Sequence, residues 1–166
     1  MNLSYAIAEG YVTKEPVRGT EHSAGLDVFV PELNAAFWKD FEKMNSKWAP
    51  FVDHEHIYVQ PSDRILVPTG LRFNLQEGTY LEVANRSSMA SKYGLIYGAH
   101  IIDEDYTGIV FINLINTSHD TFVFEPGTKF AQLIHKEYIK SIPTRIDESE
   151  IRETARGAGA LGHTGK

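Results

Sequence analysis

The segment from Ile101 to Gly108 carries the residues of this chain best suited to chemistry. It reads Ile-Ile-Asp-Glu-Asp-Tyr-Thr-Gly and lies between two apolar runs. A carboxylate such as Asp103, held at a hairpin tip next to Ile102, is well placed to orient a water molecule and a sugar hydroxyl. The alternative from the residues alone is that Asp103 only caps a turn.

Two other segments could bind the phosphates of a nucleotide. Arg86 is followed by Ser87 and Ser88, and a glycine-rich tail contains Arg156. An arginine offers a planar fork of donors to phosphate, and serine hydroxyls with nearby amides add further donors. Together with the acidic segment, these residues indicate nucleotide chemistry.

Composition limits the class of protein. The chain has 166 residues, of which 42% are hydrophobic and 23% charged, which suits one domain with a real core. Sixteen Lys and Arg against 22 Asp and Glu give a net charge of -6, which argues against a nucleic-acid binder. With no cysteine, no disulfide or thiolate site is expected. We read no signal peptide or membrane span, so we expect a cytoplasmic protein without membrane contact.

Most of the chain is predicted to form short strands separated by turn residues, a pattern typical of a β-sandwich or barrel. Turn signals such as Pro68-Thr69-Gly70 and Glu125-Pro126-Gly127 separate the runs. The predicted strands are 3–8, 26–30, 57–60, 64–67, 71–74, 79–84, 108–116, 122–124 and 131–138.

One segment departs from the strand pattern and predicts a helix from Asn34 to Trp48. Phe37, Phe41, Met44 and Trp48 recur at spacings of four, three and four, which places them on one helical face. Asn34 is the expected N-cap. We expect this helix, with its tryptophans, to pack over the sheet; a surface for a protein partner is the alternative.

Five separated motifs occupy 24–27, 86–90, 98–108, 129–134 and 156–165. In this order they resemble the motifs of the trimeric dUTPase family. Each motif is weak alone, but five in register make a specific signal.

The resemblance implies an all-β fold, a dUTPase-like β-jelly-roll or β-clip with one inserted α-helix. Residues 1–154 would form the domain, with the inserted helical segment at about 32–56. Residues 155–166 would form a flexible arm that closes over bound nucleotide. The resemblance also implies that the chain assembles as a homotrimer with active sites shared between subunits.

The activity implied by the resemblance is Mg²⁺-dependent hydrolysis of dUTP to dUMP and pyrophosphate. Asp103 would activate the water that attacks the α-phosphate. Asp27 would lie near the metal and contact it indirectly through water. Magnesium usually takes few protein ligands in phosphate sites, so a carboxylate cage is not required.

The remaining site residues are also implied by the resemblance. Backbone groups of the hairpin would mimic a base-pairing edge for uracil, and the face of Tyr106 would pack on the sugar and exclude a 2′-hydroxyl. The substrate-binding residues are Arg86, Ser87, Ser88, Gly98, His100, Ile102, Tyr106, Gln132, Arg156, Leu161, His163 and Thr164.

Four residues depart from the family pattern. Leu161 replaces a phenylalanine that stacks over uracil, and His163 replaces a small hydroxyl residue. Lys129 replaces an arginine. His100 replaces a glycine at the base pocket, where it would either crowd the base or add a donor for a modified pyrimidine.

Several acidic and histidine residues allow more than one interpretation. Glu104 and Asp105 would either pair with a neighbouring subunit or be solvated. Asp53, His54 and His56 could hold a metal, although alternate histidines are commoner on exposed loops.

Two other functions are weighed against hydrolysis. A dCTP deaminase needs an arginine and a glutamate where this chain has Ser91 and Asn113. A nucleotide sensor would use the same pocket without turnover and the inserted helix as a partner surface.

Overall fold

The computed structural model describes residues 2–46 and 53–159 as antiparallel sheets with few helices. Within these ranges every strand pairing is antiparallel. The strands are β1 (Ser4–Ile7), β2 (Val17–Arg18), β3 (Leu26–Phe29), β4 (Ile57–Val59), β5 (Arg64–Pro68), β6 (Leu71–Asn74), β7 (Thr79–Ala84), β8 (Leu95–Tyr97), β9 (Ile101–Ile102), β10 (Phe111–Asn116), β11 (Phe122–Phe124) and β12 (Lys129–Glu137).

The strands form four sheets. Their orders are β1-β6, β5-β10-β8, β11-β4 and β2-β3-β12-β7-β9. The predicted all-β jelly-roll class is confirmed. The predicted β-regions match β6, β7 and β11 at both ends, whereas β10 begins at Phe111, three residues after the predicted start.

Alternating burial explains why these segments are strands. In β7, Leu81 and Val83 are buried while Tyr80 and Glu82 are half-buried, as expected when one face of a sheet covers the core. The predicted turns also form. Gly78, before β7, and Gly127, before β12, both have φ of 78°, which glycine adopts without strain.

Helix α1 (Ala35–Asn45) confirms the predicted inserted helix. The Asn34 side chain accepts hydrogen bonds from the backbone N–H groups of Ala36 and Phe37, both at 3.1 Å, so the predicted N-cap is confirmed. The predicted end of the helix at Trp48 lies outside the described residues.

The buried face of α1 differs partly from the predicted one. Phe37, Trp38 and Phe41 are buried and in mutual aromatic contact. Met44, which the spacing placed on the same face, is 40% exposed. Its position lies near the border of that face, where it lines a cavity described below.

Asn45, at the end of α1, binds the helix to β5. Its amide Nδ2 donates to the carbonyl of Leu66 at 2.9 Å, and its Oδ1 accepts from the N–H of Leu66 at 2.8 Å. Asn45 is 2% exposed, and these bonds satisfy a polar group that would be costly to bury alone.

Five described elements were not predicted from the sequence. They are β2, β8, β9, a 3₁₀ helix at Glu148–Glu150, and helix α2 (Ser87–Tyr93), which ends at Gly94 in a left-handed conformation. Neither α1 nor α2, the two α-helices in the described ranges, is long and apolar enough to cross a membrane.

Candidate active site

The predicted site residues fall into two groups at opposite ends of β7. Arg86 follows the end of β7, whereas Asp103 follows β9, whose Ile102 pairs with Leu81 near the start of β7. By this register Asp103 is level with Tyr80, six residues before Arg86. Six residues of extended chain correspond to roughly 20 Å between Arg86 and Asp103 along the sheet. A single chain does not bring the two groups together.

The first group lines a polar cavity of about 220 Å³. It combines predicted residues from three distant parts of the sequence, on β3, on β12 and after β7. The lining residues are Gly19, Ser23, Gly25, Asp27, Arg86, Ser87, Ser88 and Gln132. The structure thus unites Asp27, Arg86, Ser87, Ser88 and Gln132.

Asp27 is the centre of the charges in this polar cavity. It is 8% exposed, and its Oδ1 accepts from Arg86 Nε at 3.0 Å while its Oδ2 accepts from Lys129 Nζ at 2.9 Å. Arg86 Nη1 also donates to the Lys129 carbonyl at 2.8 Å. Two cations thus surround one carboxylate, which leaves a net positive charge beside the cavity.

Gln132 lies close to the backbone of Gly25. A Cβ atom at position 25 would lie 2.5 Å from Gln132 Oε1, so glycine is needed for this approach. Gln132 Nε2 donates to the carbonyl of Asn85 at 2.7 Å, which fixes the amide beside the cavity.

The second group, on the hairpin after β9, surrounds Asp103. This exposed residue borders two cavities. Tyr80, Ile101, Asp103 and Tyr138 line one of about 370 Å³. The other, of about 260 Å³, is lined by Met44, Ile101, Ile102, Asp103, Tyr106, Val110 and Phe111. Helix α1 therefore contributes Met44 to a cavity that also contains the predicted catalytic and sugar-packing residues.

The ring of Tyr106 is held in a fixed orientation. Its hydroxyl donates to the carbonyl of Ile109 at 2.8 Å, and a Cβ at Gly108 would lie 2.6 Å from that hydroxyl. Tyr106 is nevertheless 43% exposed. Part of the side chain is thus available to a ligand.

Glu104 pairs within its own chain, which differs from both predicted alternatives. Its Oε2 accepts from the N–H of Gly78 at 2.5 Å, and its Oε1 lies 3.5 Å from Lys140 Nζ. The Gly78 hydrogen bond, aided by Lys140, lowers the pKa of Glu104. Asp105 is exposed.

His100 and Gly98 lie just before β9. The N–H of Val83 donates to the His100 carbonyl at 2.7 Å, and His100 Nδ1 lies 2.9 Å from the Val83 carbonyl. His100 thus continues the pairing with β7. A Cβ at Gly98 would lie 2.9 Å from Asn113 Nδ2, so this backbone is closely packed.

Arg156 is the predicted tail residue that the structure describes, and it lines neither group of cavities. Arg156 is exposed, and its Nε donates to the Gly159 carbonyl at 3.0 Å. Leu161, His163 and Thr164 lie outside the described residues, so their predicted roles have no structural test.

The residues considered for a resident metal do not form a cluster of ligands. His56 Nδ1 lies 3.3 Å from Asp53 Oδ2, and His54 Nε2 lies 3.6 Å from Glu42 Oε1. Across residues 2–46 and 53–159, no group of three histidine or acidic side chains is arranged to hold a metal ion.

Lys129 stands out in the sequence only as a departure from the family pattern, and its contact with Asp27 was not predicted. The spacing of apolar residues in α1 placed Met44 in the core. The Lys129–Asp27 contact joins residues 102 positions apart, so no local pattern could reveal it.

This arrangement defines a jelly-roll protein with a polar, cationic cavity at one end of a sheet and an acid-bearing hairpin at the other. A family model described as dUTPase matches residues 52–165. The chain belongs to the dUTPase family.

Relatives and solved structures agree with this assignment. The deoxyuridine 5'-triphosphate nucleotidohydrolase of Chlamydia trachomatis serovar L2 is 38% identical over 115 residues, which cover 68% of this chain and 79% of the relative. The enzyme of the same name from Candida glabrata is 42% identical over 101 residues, or 61% of this chain and 69% of its own. These relatives favour neither of the alternative functions, the deaminase or the sensor.

The similarity in fold extends over almost the whole chain. The dUTPase of Staphylococcus bacteriophage 80alpha, solved with dUPNHPP, has a TM-score of 0.78 at 19% identity and covers 99% of both chains. The dUTPase from phage phi11 of S. aureus has a TM-score of 0.69 at 18% identity, covering 92% of this chain and 100% of its own.

Proposed function

We propose that this protein hydrolyses dUTP to dUMP and pyrophosphate in a site assembled from neighbouring subunits. Family membership carries the activity. The observation that supports the residue roles is the cavity that unites Asp27, Arg86, Ser87 and Gln132 from distant parts of the chain. A cationic cavity suits the polyphosphate group of the substrate.

The polar cavity is the proposed phosphate site. Arg86 donates to Asp27 and to the Lys129 carbonyl, and its other guanidinium N–H groups can bind phosphate oxygens. Ser87, Ser88 and Gln132 would supply further hydrogen bonds. Such donors stabilise the negative charge that shifts to the pyrophosphate as it leaves.

Asp103 is the proposed general base. It takes a proton from a water whose oxygen attacks the α-phosphorus, and the bond from that phosphorus to the α,β-bridging oxygen breaks, releasing pyrophosphate. The exposed carboxylate makes no hydrogen bond among the described residues, so it can accept this proton. Tyr106 would pack against deoxyribose, and the backbone at Gly98, His100 and Ile102 would hold the base.

We extend the proposal to Mg²⁺ bound with the nucleotide. The structure fits a metal that relies on phosphate oxygens and water, because both oxygens of Asp27 already accept hydrogen bonds from cations. Asp27 would reach the metal only through water, and the metal would neutralise triphosphate charge. A dUTPase from phage phi11 coordinates a structural Mg(II) ion.

Membership of the dUTPase family carries the proposal that the assembly is a homotrimer, and two structural features support an association of subunits. Arg86 and Asp103 cannot meet within one chain, and the sheet β5-β10-β8 has apolar side chains on both faces. Ile112 and Leu114 are buried on one face, while Phe111 and Ile115 are only half-buried on the other. A neighbouring subunit would cover this second face.

Beyond the domain at 1–154, residues 155–166 form the proposed arm that closes over bound nucleotide. The chain leading to it contains Ile139 and Ile142, which are 91% and 87% exposed. Such exposure suits a segment that packs on a neighbouring subunit. We propose a cytoplasmic location for the assembled enzyme.

A substrate panel tests the proposed activity. Incubation with dUTP, dCTP, dTTP and UTP in the presence of Mg²⁺ should release pyrophosphate from dUTP and little from the others. Ammonia from dCTP would support the deaminase, and binding without turnover would support the sensor.

Mixing two impaired variants tests the shared site. Arg86→Ala and Asp103→Asn should each retain only a small residual rate, but exchange of their subunits should recover about one quarter of wild-type activity, because each mixed trimer contains one intact site. No recovery after verified exchange would show that both residues act from the same chain.

A further inference from the structure

Lys129 has two separate contacts with the machinery of the polar cavity. Its ammonium donates to Asp27 Oδ2 at 2.9 Å, and its carbonyl accepts from Arg86 Nη1 at 2.8 Å. Arg86 Nε donates to the other oxygen of Asp27 at 3.0 Å. The three residues therefore form a closed ring of contacts in which Lys129 holds both of the other two.

A β-bulge in β12 makes this ring possible. Lys129 pairs with Phe29 and Ala131 with Val28, so two steps along β12 match one step along β3. In a regular strand, positions 129 and 132 would face opposite sides of the sheet. The extra residue allows both Lys129 and Gln132 to approach the face that carries Asp27, and bulges near active sites commonly re-aim side chains in this way.

The charge of Lys129 has a consequence for Arg86. Without the ammonium, Asp27 would be paired with Arg86 alone, and the two charges would cancel. With Lys129 present, one positive charge remains for the substrate. Asp27 is only 8% exposed, so these interactions are less screened by water than those of surface pairs.

We propose that Lys129 is a positioning residue for dUTP hydrolysis that acts through Arg86, an inference that rests on the proposed function. It fixes the guanidinium by its carbonyl and balances Asp27 by its ammonium, so that the remaining donors and charge of Arg86 are available to the substrate phosphates. Lys129 itself need not touch the substrate.

The central test compares Lys129→Met with Lys129→Arg in dUTP hydrolysis. Lys129→Met should lower kcat/KM about 10- to 100-fold, mainly through KM, because Asp27 would then cancel the charge of Arg86 and weaken its charge-assisted hydrogen bonds to phosphate. Lys129→Arg should retain most activity because it keeps the charge. Inhibition by dUMP, which lacks the β- and γ-phosphates, should change much less than the affinity for dUTP.

Lys14→Met is the matched control. Lys14 and Lys129 place their ammonium groups 5.3 and 5.7 Å from the same Phe29 ring, but only Lys129 contacts Asp27. The control should keep wild-type kcat/KM. Equal losses in the two lysine variants would overturn the inference, and thermal melting of each variant shows whether it is folded. If Lys129→Met does not fold, Lys129→Gln takes its place in every comparison.

A double-mutant cycle distinguishes action through Arg86 from an independent effect. Arg86→Ala with Lys129→Met should be no worse than Arg86→Ala alone, whereas multiplied losses would overturn the inference. If the wild type does not hydrolyse dUTP, or Arg86→Ala is fully active, the proposed function fails instead. Exchange of the Arg86 Nε–H, followed by NMR, then decides whether Lys129 acts on the Arg86–Asp27 pair. Slower exchange in Lys129→Met supports the inference, because Asp27 would then pair with Arg86 alone, and unchanged or faster exchange contradicts it.

Discussion

The functional groups at the two ends of β7 differ in how firmly hydrogen bonds and ion pairs hold them before a ligand binds. At the polar cavity, Arg86, Asp27 and Lys129 are already joined by hydrogen bonds and ion pairs. At the hairpin, Asp103 is exposed and its carboxylate makes no hydrogen bond within the described ranges. The phosphate end is therefore preorganised, while the hairpin end is left accessible.

This difference fits the proposed role of each end. Fixed donors suit phosphate, because their orientation is settled before the charged substrate arrives. A general base must instead remain free to accept a proton, and closure of the site needs to exclude only bulk water, not the water that attacks. The hydrogen bonds of Glu104 and Tyr106 accordingly fix the hairpin beside Asp103 and leave its carboxylate accessible.

The largest expected effect on activity is that of replacing the exposed carboxylate of Asp103. Asp103→Asn should lower kcat by about 10²–10⁴ because the variant cannot accept the proton of the attacking water. Affinity for dUTP, measured by calorimetry, should stay within a modest factor. The neighbouring Asp105→Asn is the control and should remain active. A near-wild-type rate for Asp103→Asn would remove it from the proposed role.

Removing the arm should have the second-largest effect on activity. Deleting residues 155–166 should lower kcat/KM on the order of a hundredfold, because closure over the nucleotide would be lost. The melting temperature should stay close to that of the full chain, since the part of the tail that the structure describes makes few contacts with the body. An undiminished rate after truncation would show that these residues are not a lid.

The smallest effect concerns the bracing of the hairpin and depends on pH. The pKa of Glu104 is lowered in the folded protein by the Gly78 N–H, so its carboxylate stabilises the fold above the usual glutamate pKa. This contribution is lost as pH falls through the lowered pKa. Glu104→Gln should therefore melt at a lower temperature than wild type at pH 7.

The difference in melting temperature should shrink towards zero as the pH falls below the usual glutamate pKa and through the lowered pKa of Glu104, because the wild-type carboxyl becomes protonated. Glu77→Gln, at an exposed neighbouring position, is the control and should melt like wild type at each pH. A pH-independent difference for Glu104→Gln would assign the effect to packing instead of charge.

The sequence predicted the regular parts of the fold well. β6 and β7 alternate clearly between apolar and polar positions and are bounded by turn residues, so their limits agree with the prediction. Helix α1 was recognised from its period and from the Asn34 cap. The short strand β9 has only two residues and α2 only seven, too few for any periodicity to be read.

The site was less predictable than the fold. The motifs assigned Asp27, Arg86 and Gln132 to one site, and these residues line one cavity. They did not indicate the bulge that brings Lys129 to Asp27, because a register shift depends on the partner strand and not on local composition. Likewise, the bond from Glu104 to Gly78 depends on how the hairpin lies against β7.

The amide of Asn45 has a consequence for how the molecule behaves in concentrated solution. It occupies the backbone N–H and C=O of Leu66 on the side of β5 away from β10, where an exposed strand would otherwise offer a template for another chain. The inserted helix thereby blocks edge-to-edge growth of this sheet. A strand added at this edge would therefore find the backbone groups of Leu66 already paired.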